Sequence, residues 1–181
     1  MWEKLNERKI TAGLLLSDVP VLISFEDESF ATYPYTIILT QACDIQSYYK
    51  SIEKWKKINE IRDRQLITQI IFCPAFEEEH FINGTHLESQ YKYKMPKLTS
   101  KQRDKYKNLE HIRYYYIPSN EKSIPNLFLD FKQYFTLPVT LVNELIKGHN
   151  NLYKLDHLLY THLADRFAFY LQRVALPSQN T

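Results

Sequence analysis

The densest group of chemically reactive side chains is the run Thr40-Gln41-Ala42-Cys43-Asp44, which directly follows an apolar stretch. Rigid scaffolds often present functional side chains where a strand ends, so this position favours a site. Cys43 and Asp44 are candidate catalytic residues of a hydrolase or nuclease, in which the thiol would need a histidine such as His162 as its base. Gln41 is a candidate ligand or partner contact. The competing interpretation makes Cys43 a small buried hydrophobe and Asp44 the cap of the next helix.

A second pair, Asp130 and Lys132, forms a D-x-K triplet at the end of an apolar run. Residues two apart on a strand share one face of the sheet. Metal-dependent nucleases of the PD-(D/E)xK type use such a triplet, in which carboxylates hold Mg²⁺ and the lysine steadies developing charge. No upstream Pro-Asp partner is present. A solvated sheet face is therefore the preferred interpretation, and both residues remain candidate ligand or partner contacts.

The last predicted helix has three basic side chains on one face, His162, Arg166 and Arg173. Arg166 and Arg173 follow His162 by four and by eleven residues, which are spacings that share a helix face. They are candidate contacts for a phosphate or a carboxylate. The alternative is that they rim a packed helix and pair with neighbouring acids. No histidine or cysteine spacing matches a zinc site, and three glycines form no phosphate-binding loop. We therefore expect no metal and no cofactor.

The segment 91–107 is the strongest indication of a partner. It carries seven lysines and arginines against one aspartate, a net charge of +6, in a chain whose net charge is only +2. Lysine and arginine neutralise phosphates and tyrosine rings stack on unpaired bases, so the segment predicts binding of RNA or DNA. A second basic stretch, 50–64, has a net charge of +3 and contains Trp55. The alternative is a solvated, lysine-rich loop. The candidate contacts are Tyr91, Lys92, Tyr93, Lys94, Lys97, Lys101, Arg103 and Lys105.

Hydrophobic patterning predicts the elements that position these residues. Strands are expected over 35–40, 66–73, 112–117 and 127–131, and helices over 47–64, 139–147 and 157–174. The first nine residues read as a short helix or arm, and 13–16 and 19–25 as two separate extended runs. Pro74 is expected to end its strand, and Gly148 to be a left-handed helix cap. Residues 85–108 read as a polar and flexible basic loop.

These elements indicate one α+β domain over residues 1–181. We expect a small, mostly antiparallel sheet or an SH3-like barrel, with C-terminal helices over 139–175. No signal segment and no stretch of about 20 apolar residues is present, which predicts a cytoplasmic protein without a membrane span. The oligomeric state is left open.

Two resemblances add expectations. The runs 38–45, 128–138 and 163–177 together resemble an uncharacterised bacterial family with an S-Q-x-C-D motif, in which Thr40 here replaces serine. More weakly, the early glycine strand, the strand near 37–40 and the run 70–74 are similar in order to MazF/PemK-type toxins, which are SH3-like barrels that cleave RNA. The catalytic arginine and hydroxyl residue of those toxins have no counterpart here, so the likeness implies a barrel core and not RNA cleavage.

The leading hypothesis is a nucleic-acid-associated, non-catalytic component of a bacterial toxin–antitoxin, phage-defence or mobile-element system, a context that the resemblance implies. The second is a hydrolase or nuclease centred on Cys43 and Asp44. The third is a subunit that docks on a protein encoded nearby through Tyr114-Tyr115-Tyr116.

Overall fold

A computed structural model describes residues 1–24, 26, 28–58, 66–120 and 123–174, without the side chains of residues 57, 58, 173 and 174. It confirms an α+β fold built on an eight-stranded antiparallel sheet. The strand order is β1-β8-β2-β3-β4-β6-β5, and β7 pairs with β4 beside β6. The strands are Trp2–Leu5 (β1), Leu14–Ser24 (β2), Ser29–Ile38 (β3), Gln69–Glu77 (β4), Tyr114–Ile117 (β5), Leu127–Asp130 (β6), Phe135–Pro138 (β7) and Leu152–Leu155 (β8).

Six helices accompany the sheet in the described part of the chain. They are Ala42–Ile58 (α1), Glu78–Asn83 (α2), Glu88–Tyr91 (α3), Ser100–Lys107 (α4), Val139–Gly148 (α5) and His157–Val174 (α6), and a short 3-10 helix spans Phe131–Gln133. Described helices are too short or too polar to cross a membrane.

Both faces of the sheet are covered, because alternate residues along each strand point to opposite sides. On one face Ile37 packs in a cluster with Leu163 and Phe167 of α6. On the other face its neighbour Ile38 packs with α1 and α5. The far end of this second face is aromatic, and there α2, α3 and α4 cover Tyr33, Phe76, Tyr114 and Phe128 through Phe81, Leu87 and Tyr106.

Several predicted boundaries are wrong near the N-terminus. Residues 2–5 form β1, an edge strand paired with β8, and not a helix. The two runs at 13–16 and 19–25 belong to one strand, β2, whose register with β3 continues across Asp18. Asp18 adopts a positive φ of 52°, a conformation that aspartate tolerates better than most residues. The polar pair at 17–18 therefore marks a local distortion within a strand and not a break.

Pro74 lies inside β4, contrary to the prediction that it ends the strand. Along one edge β4 pairs with β7 at residues 69–72 and with β6 at residues 75–77. Pro74 falls in the gap between these two partners, where a backbone N–H is not needed. A central strand can therefore accept a proline at this position.

The segment 85–108, expected to be a loop, contains α3 and α4 and is fastened to α2. The Met95 N–H donates to the Gly84 carbonyl at 2.8 Å, and the Leu98 N–H donates to the Ile82 carbonyl at 2.9 Å. Gly84 has φ +73°, and a Cβ there would lie 2.0 Å from the Met95 oxygen, so only glycine fits. Gly148, the glycine expected to be left-handed, is instead the last residue of α5 and has no positive φ.

Candidate nucleic-acid interface

The cations of the basic segment are displayed on the surface by the two short helices and the extended chain between them. Helix α4 begins with a capping box, in which Thr99 and Gln102 each bond to the backbone of the other. Met95 and Leu98 point into the aromatic cluster, which leaves the intervening side chains outside. All of the predicted nucleic-acid contacts in this segment are exposed: Tyr91, Lys92, Tyr93, Lys94, Lys97, Lys101, Arg103 and Lys105.

Most of these cations are not neutralised by a neighbour. Arg103 lies 3.6 Å from the adjacent Asp104, and Lys107, also of this segment, pairs with Glu78. The five lysines of the predicted set, at 92, 94, 97, 101 and 105, have no acidic partner within 4 Å among the described residues. Their charge is therefore available to a polyanion.

A groove of about 380 Å³ joins this segment to the end of β6. Tyr91 and Tyr93 line it together with Arg113, Lys132 and Gln133. Leu87 and Met95 also line it. Exposed aromatic rings facing cationic and amide side chains are the elements that bind an unpaired base together with its phosphate. The structure thus brings together two sequence features that lie about 40 residues apart.

One wall of the groove is fixed by hydrogen bonding. The hydroxyl of Tyr91 lies 2.9 Å from that of Tyr33, a residue buried between β2 and β4. Burial and this hydrogen bond raise the pKa of Tyr33 well above its usual range, so Tyr33 stays neutral at physiological pH. Tyr91 is thereby attached to the sheet, whereas Tyr93 is exposed to solvent.

Asp130 is not on a solvated sheet face, as predicted, but fully buried. Its two oxygens accept from Arg113 Nε at 2.7 Å and Nη2 at 2.6 Å, and Oδ1 also accepts from the Lys132 N–H. The hydrogen bonds to Asp130 raise the pKa of Arg113, which stays a cation. The Nη1 nitrogen of Arg113 takes no part in this pair. Lys132 lies beyond the strand, on the 3-10 helix, so Asp130 and Lys132 do not act as one same-face triplet.

The first residue of the run 40–44, Thr40, has a structural role. The Thr40 hydroxyl accepts from the Ile71 N–H at 2.7 Å, and Tyr160 of α6 donates to the Thr40 carbonyl at 3.0 Å. Burial raises the pKa of Tyr160 to about 12. These bonds hold the end of β3 against β4 and α6.

Cys43 is exposed, so the interpretation that it is buried is wrong; the buried thiol is Cys73. Cys43 lies in the first turn of α1 with Asp44, which is within the helix and not its cap. Its Sγ is 3.5 Å from Gln41 Oε1 and 3.8 Å from Asp44 Oδ1. His162, the expected base, instead hydrogen-bonds through Nδ1 to the hydroxyl of Tyr115 at 2.8 Å.

Arg166 fixes a loop and does not pair with an acid in the described part of the chain. Its Nη2 donates to the carbonyls of Leu109 at 2.6 Å and His111 at 3.5 Å. This ties α6 to the loop before β5. The side chain of Arg173 lies outside the described residues, as do residues 59–64 of the second basic stretch. On the described part of α1, Lys50, Lys54, Trp55 and Lys56 are exposed.

The tyrosines proposed as a docking surface are mostly interior residues. Tyr114 and Tyr115 are buried on opposite faces of β5, and Tyr116 is half-buried beneath Lys107, whose Nζ lies 5.0 Å from the ring centre. Burial raises the pKa of Tyr115 to about 12. This run is therefore core and not a surface for a protein partner.

Two polar groove residues, Arg113 and Gln133, were not identified from the sequence. Arg113 lies outside the basic segment, and its partner is 17 residues away on the next strand. The pattern T-x-x-Q at 99–102, a helix-start signal, was present and would have located α4.

Comparisons with models of protein families, with curated proteins and with solved structures find no match for this chain. The two resemblances drawn from its motifs therefore remain predictions.

Proposed function

We propose that this protein binds single-stranded RNA or DNA without cleaving it, in the cytoplasm, as a component of a bacterial toxin–antitoxin, phage-defence or mobile-element system. The context rests on the family resemblance alone. The binding activity is supported by one observation above all, the groove that Tyr91 and Tyr93 line together with Arg113 and Lys132.

Single strands fit this surface better than duplexes. A tyrosine ring can stack only on a base whose face is unpaired, and the groove is at the small end of the range for ligand pockets. The lysines flanking it on 92–105 would follow the backbone of the strand on either side. No pattern of donors and acceptors selects one base, so the expected preference is for unpaired structure and not for a sequence.

The enzyme hypothesis has less support. The Cys43 thiol bonds to Gln41 and Asp44, and His162 is engaged with Tyr115. The hypothesis of a protein partner encoded nearby has no surface assigned to it, because Tyr114 and Tyr115 are buried and Tyr116 is half-buried.

The decisive experiment is fluorescence anisotropy with labelled single-stranded RNA, single-stranded DNA and duplex DNA over a range of salt. If the five unpaired lysines and Lys132 all contact phosphate, the slope of log K against log salt reaches about −4 for single strands. Affinity would then fall by at most about 300-fold between about 50 and 200 mM salt. The double variant Lys94→Gln/Lys132→Gln should reduce the slope by about 1.4.

Stacking is tested separately from charge. Tyr93→Ala should weaken single-strand binding by about 5- to 150-fold, the range expected for loss of one stacked base. The matched controls are Phe30→Ala, which removes an exposed ring on β3, and Lys4→Gln, which removes a cation on β1 at the opposite edge of the sheet. Neither control should change binding. Absent binding at low salt, or equal losses in the controls, would refute the proposal.

A further inference from the structure

A second and larger cavity, of about 670 Å³, opens on the other side of α3 from the groove. Its walls come from β2, β3 and β4 on the sheet and from α2, the loop at 85–86 and α3 above it. The volume lies in the range of small-molecule sites.

Two polar side chains in its wall are buried without satisfying their hydrogen-bonding groups. His86 is 5% exposed and Gln90 is 7% exposed. The Oε1 atom of Gln90 lacks a hydrogen-bond partner among the described residues, and neither ring nitrogen of His86 makes a well-formed hydrogen bond there, although the His80 backbone lies close enough to favour the charged ring. Burying such atoms without a partner is unfavourable, so their position in a cavity wall is what a bound ligand would explain.

The orientation of Gln90 is determined by its neighbour. Its Nε2 donates to the carbonyl of Thr32 at 3.1 Å, and a carbonyl can only accept. Oε1 is therefore the free end of the amide and presents an acceptor. A ligand that meets it must carry a donor.

His86 contributes a neutral ring. It lies between Phe76 and Phe81, with ring centres 4.9 and 4.8 Å away. This burial lowers its pKa to about 4. The nearby His80 carbonyl already accepts from the N–H and the hydroxyl of Thr85. At neutral pH the ring thus offers one donor and one acceptor and no charge.

The charge of the cavity comes from carboxylates. Asp18, Glu77 and Glu88 line it, and no lysine or arginine does so among the described residues. A phosphate would be repelled here, so the cavity is not an extension of the nucleic-acid groove. The described residues also contain no group of histidine, cysteine and carboxylate side chains able to hold a metal ion.

We propose that this cavity binds a small organic cation rich in N–H donors, such as a guanidinium or primary amine compound. Its N–H groups would bond to Gln90 Oε1 and to the acceptor nitrogen of His86, and its charge would be balanced by the carboxylates of Glu77 and Glu88. The inference does not rest on nucleic-acid binding, since the two sites share α3 but no charged residue.

Isothermal titration calorimetry of the full chain, without nucleic acid, tests this directly. Agmatine and putrescine are the cationic probes, urea is the neutral analogue, and inorganic phosphate is the anion. We expect saturable binding of at least one cation, and none of urea or phosphate. No saturable heat from either cation at millimolar concentrations, or equal binding of urea, would overturn the proposal.

Variants localise the binding. Gln90→Met removes the free acceptor at similar volume, and Glu88→Gln removes an exposed charge without disturbing the core. Each should weaken cation binding tenfold or more. Glu79→Gln, an exposed acid of α2 outside the cavity, and Tyr93→Ala in the groove should leave it unchanged. If Gln90→Met fails to fold, Glu88→Gln decides, and unaltered affinity in that variant contradicts the assignment.

Discussion

The buried pair of Arg113 and Asp130 allows a sharp prediction, because its two members are buried to different extents. The side chain of Asp130 is 0% exposed, whereas that of Arg113 is 23% exposed. Removing the arginine leaves a fully buried carboxylate with only the Lys132 N–H as a donor among the described residues. Removing the carboxylate leaves a guanidinium that can reach water. The two single variants should therefore differ, even though they break the same ion pair.

We expect Arg113→Met to lower the free energy of unfolding by about 4 kcal/mol, within the range of about 3–5 kcal/mol for a buried charge left unpaired. For a chain of this size that lowers Tm by about 8 to 16 °C. Asp130→Asn, which keeps an oxygen for the Lys132 N–H, should cost about 1–3 kcal/mol. The double variant Arg113→Met/Asp130→Leu should be more stable than Arg113→Met alone, since no charge is left buried.

Urea unfolding at pH 7, followed by tryptophan fluorescence, measures all three values. A cost below about 1 kcal/mol for Arg113→Met would show that Asp130 is solvated or protonated. A double variant less stable than Arg113→Met would show that the pair itself, and not the penalty of an unpaired charge, dominates. Either result would refute the reasoning.

Three further perturbations are read from single contacts. Gly84→Ala should lower the free energy of unfolding by more than about 2 kcal/mol, because its Cβ would meet a backbone oxygen at 2.0 Å in a positive-φ conformation. Gly148→Ala, whose Cβ would have no atom within 4 Å, should be neutral or stabilising by up to about 1 kcal/mol. Thermal unfolding measures both. Thr40→Val should lower the free energy of unfolding in urea by about 1–3 kcal/mol, because it removes the acceptor for the Ile71 N–H. Thr40→Ser keeps a hydroxyl and should retain most of the stability. Equal losses in the two variants would contradict a hydrogen-bonding role. The pKa of His86 is lowered to about 4, so between about pH 6.5 and 4 the unfolded state binds a proton that the folded state does not. The free energy of unfolding should therefore fall as pH drops through that window, by at most about 3 kcal/mol. The variant His86→Phe should lose that part of the pH dependence.

The α+β class and the long elements could be predicted because their signals are local. Helix α6 follows its apolar period from residue 157 to 174, and β6 follows a short apolar run, so no distant partner is needed to identify either. The strands β1, β7 and β8 were missed because each is defined by its partner strand and not by its composition, whereas β5 and β6 are equally short but carry aromatic or apolar runs. Pro74 shows the same limit, since its place inside a strand depends on where two other strands begin and end.

In the candidate sites, the location of the basic segment could be predicted from the sequence, but the pairing of buried charged side chains could not. Exposed lysines need no partner, so the basic segment 91–107 was recognised from its composition and is displayed as expected. Asp130 and Arg113 look equally polar in the sequence, yet the hairpin of β5 and β6 buries one against the other. The prediction that Asp130 lies on a solvated sheet face is wrong for this reason. The sequence around a carboxylate at the end of an apolar run does not indicate which distant residue will pair with it.

The short helix α3 contributes side chains to both the acidic cavity and the basic groove. Gln90 and Tyr91 are adjacent, but a helical turn of about 100° per residue points one into the acidic cavity and the other into the basic groove. Each is held by β3, Gln90 through the Thr32 carbonyl and Tyr91 through the Tyr33 hydroxyl. If both proposed sites bind as inferred, a polyanion would enter the basic groove and an organic cation the acidic cavity. The segregation of charge across one helical turn, and not the net charge of the chain, would then decide which ligand each surface accepts.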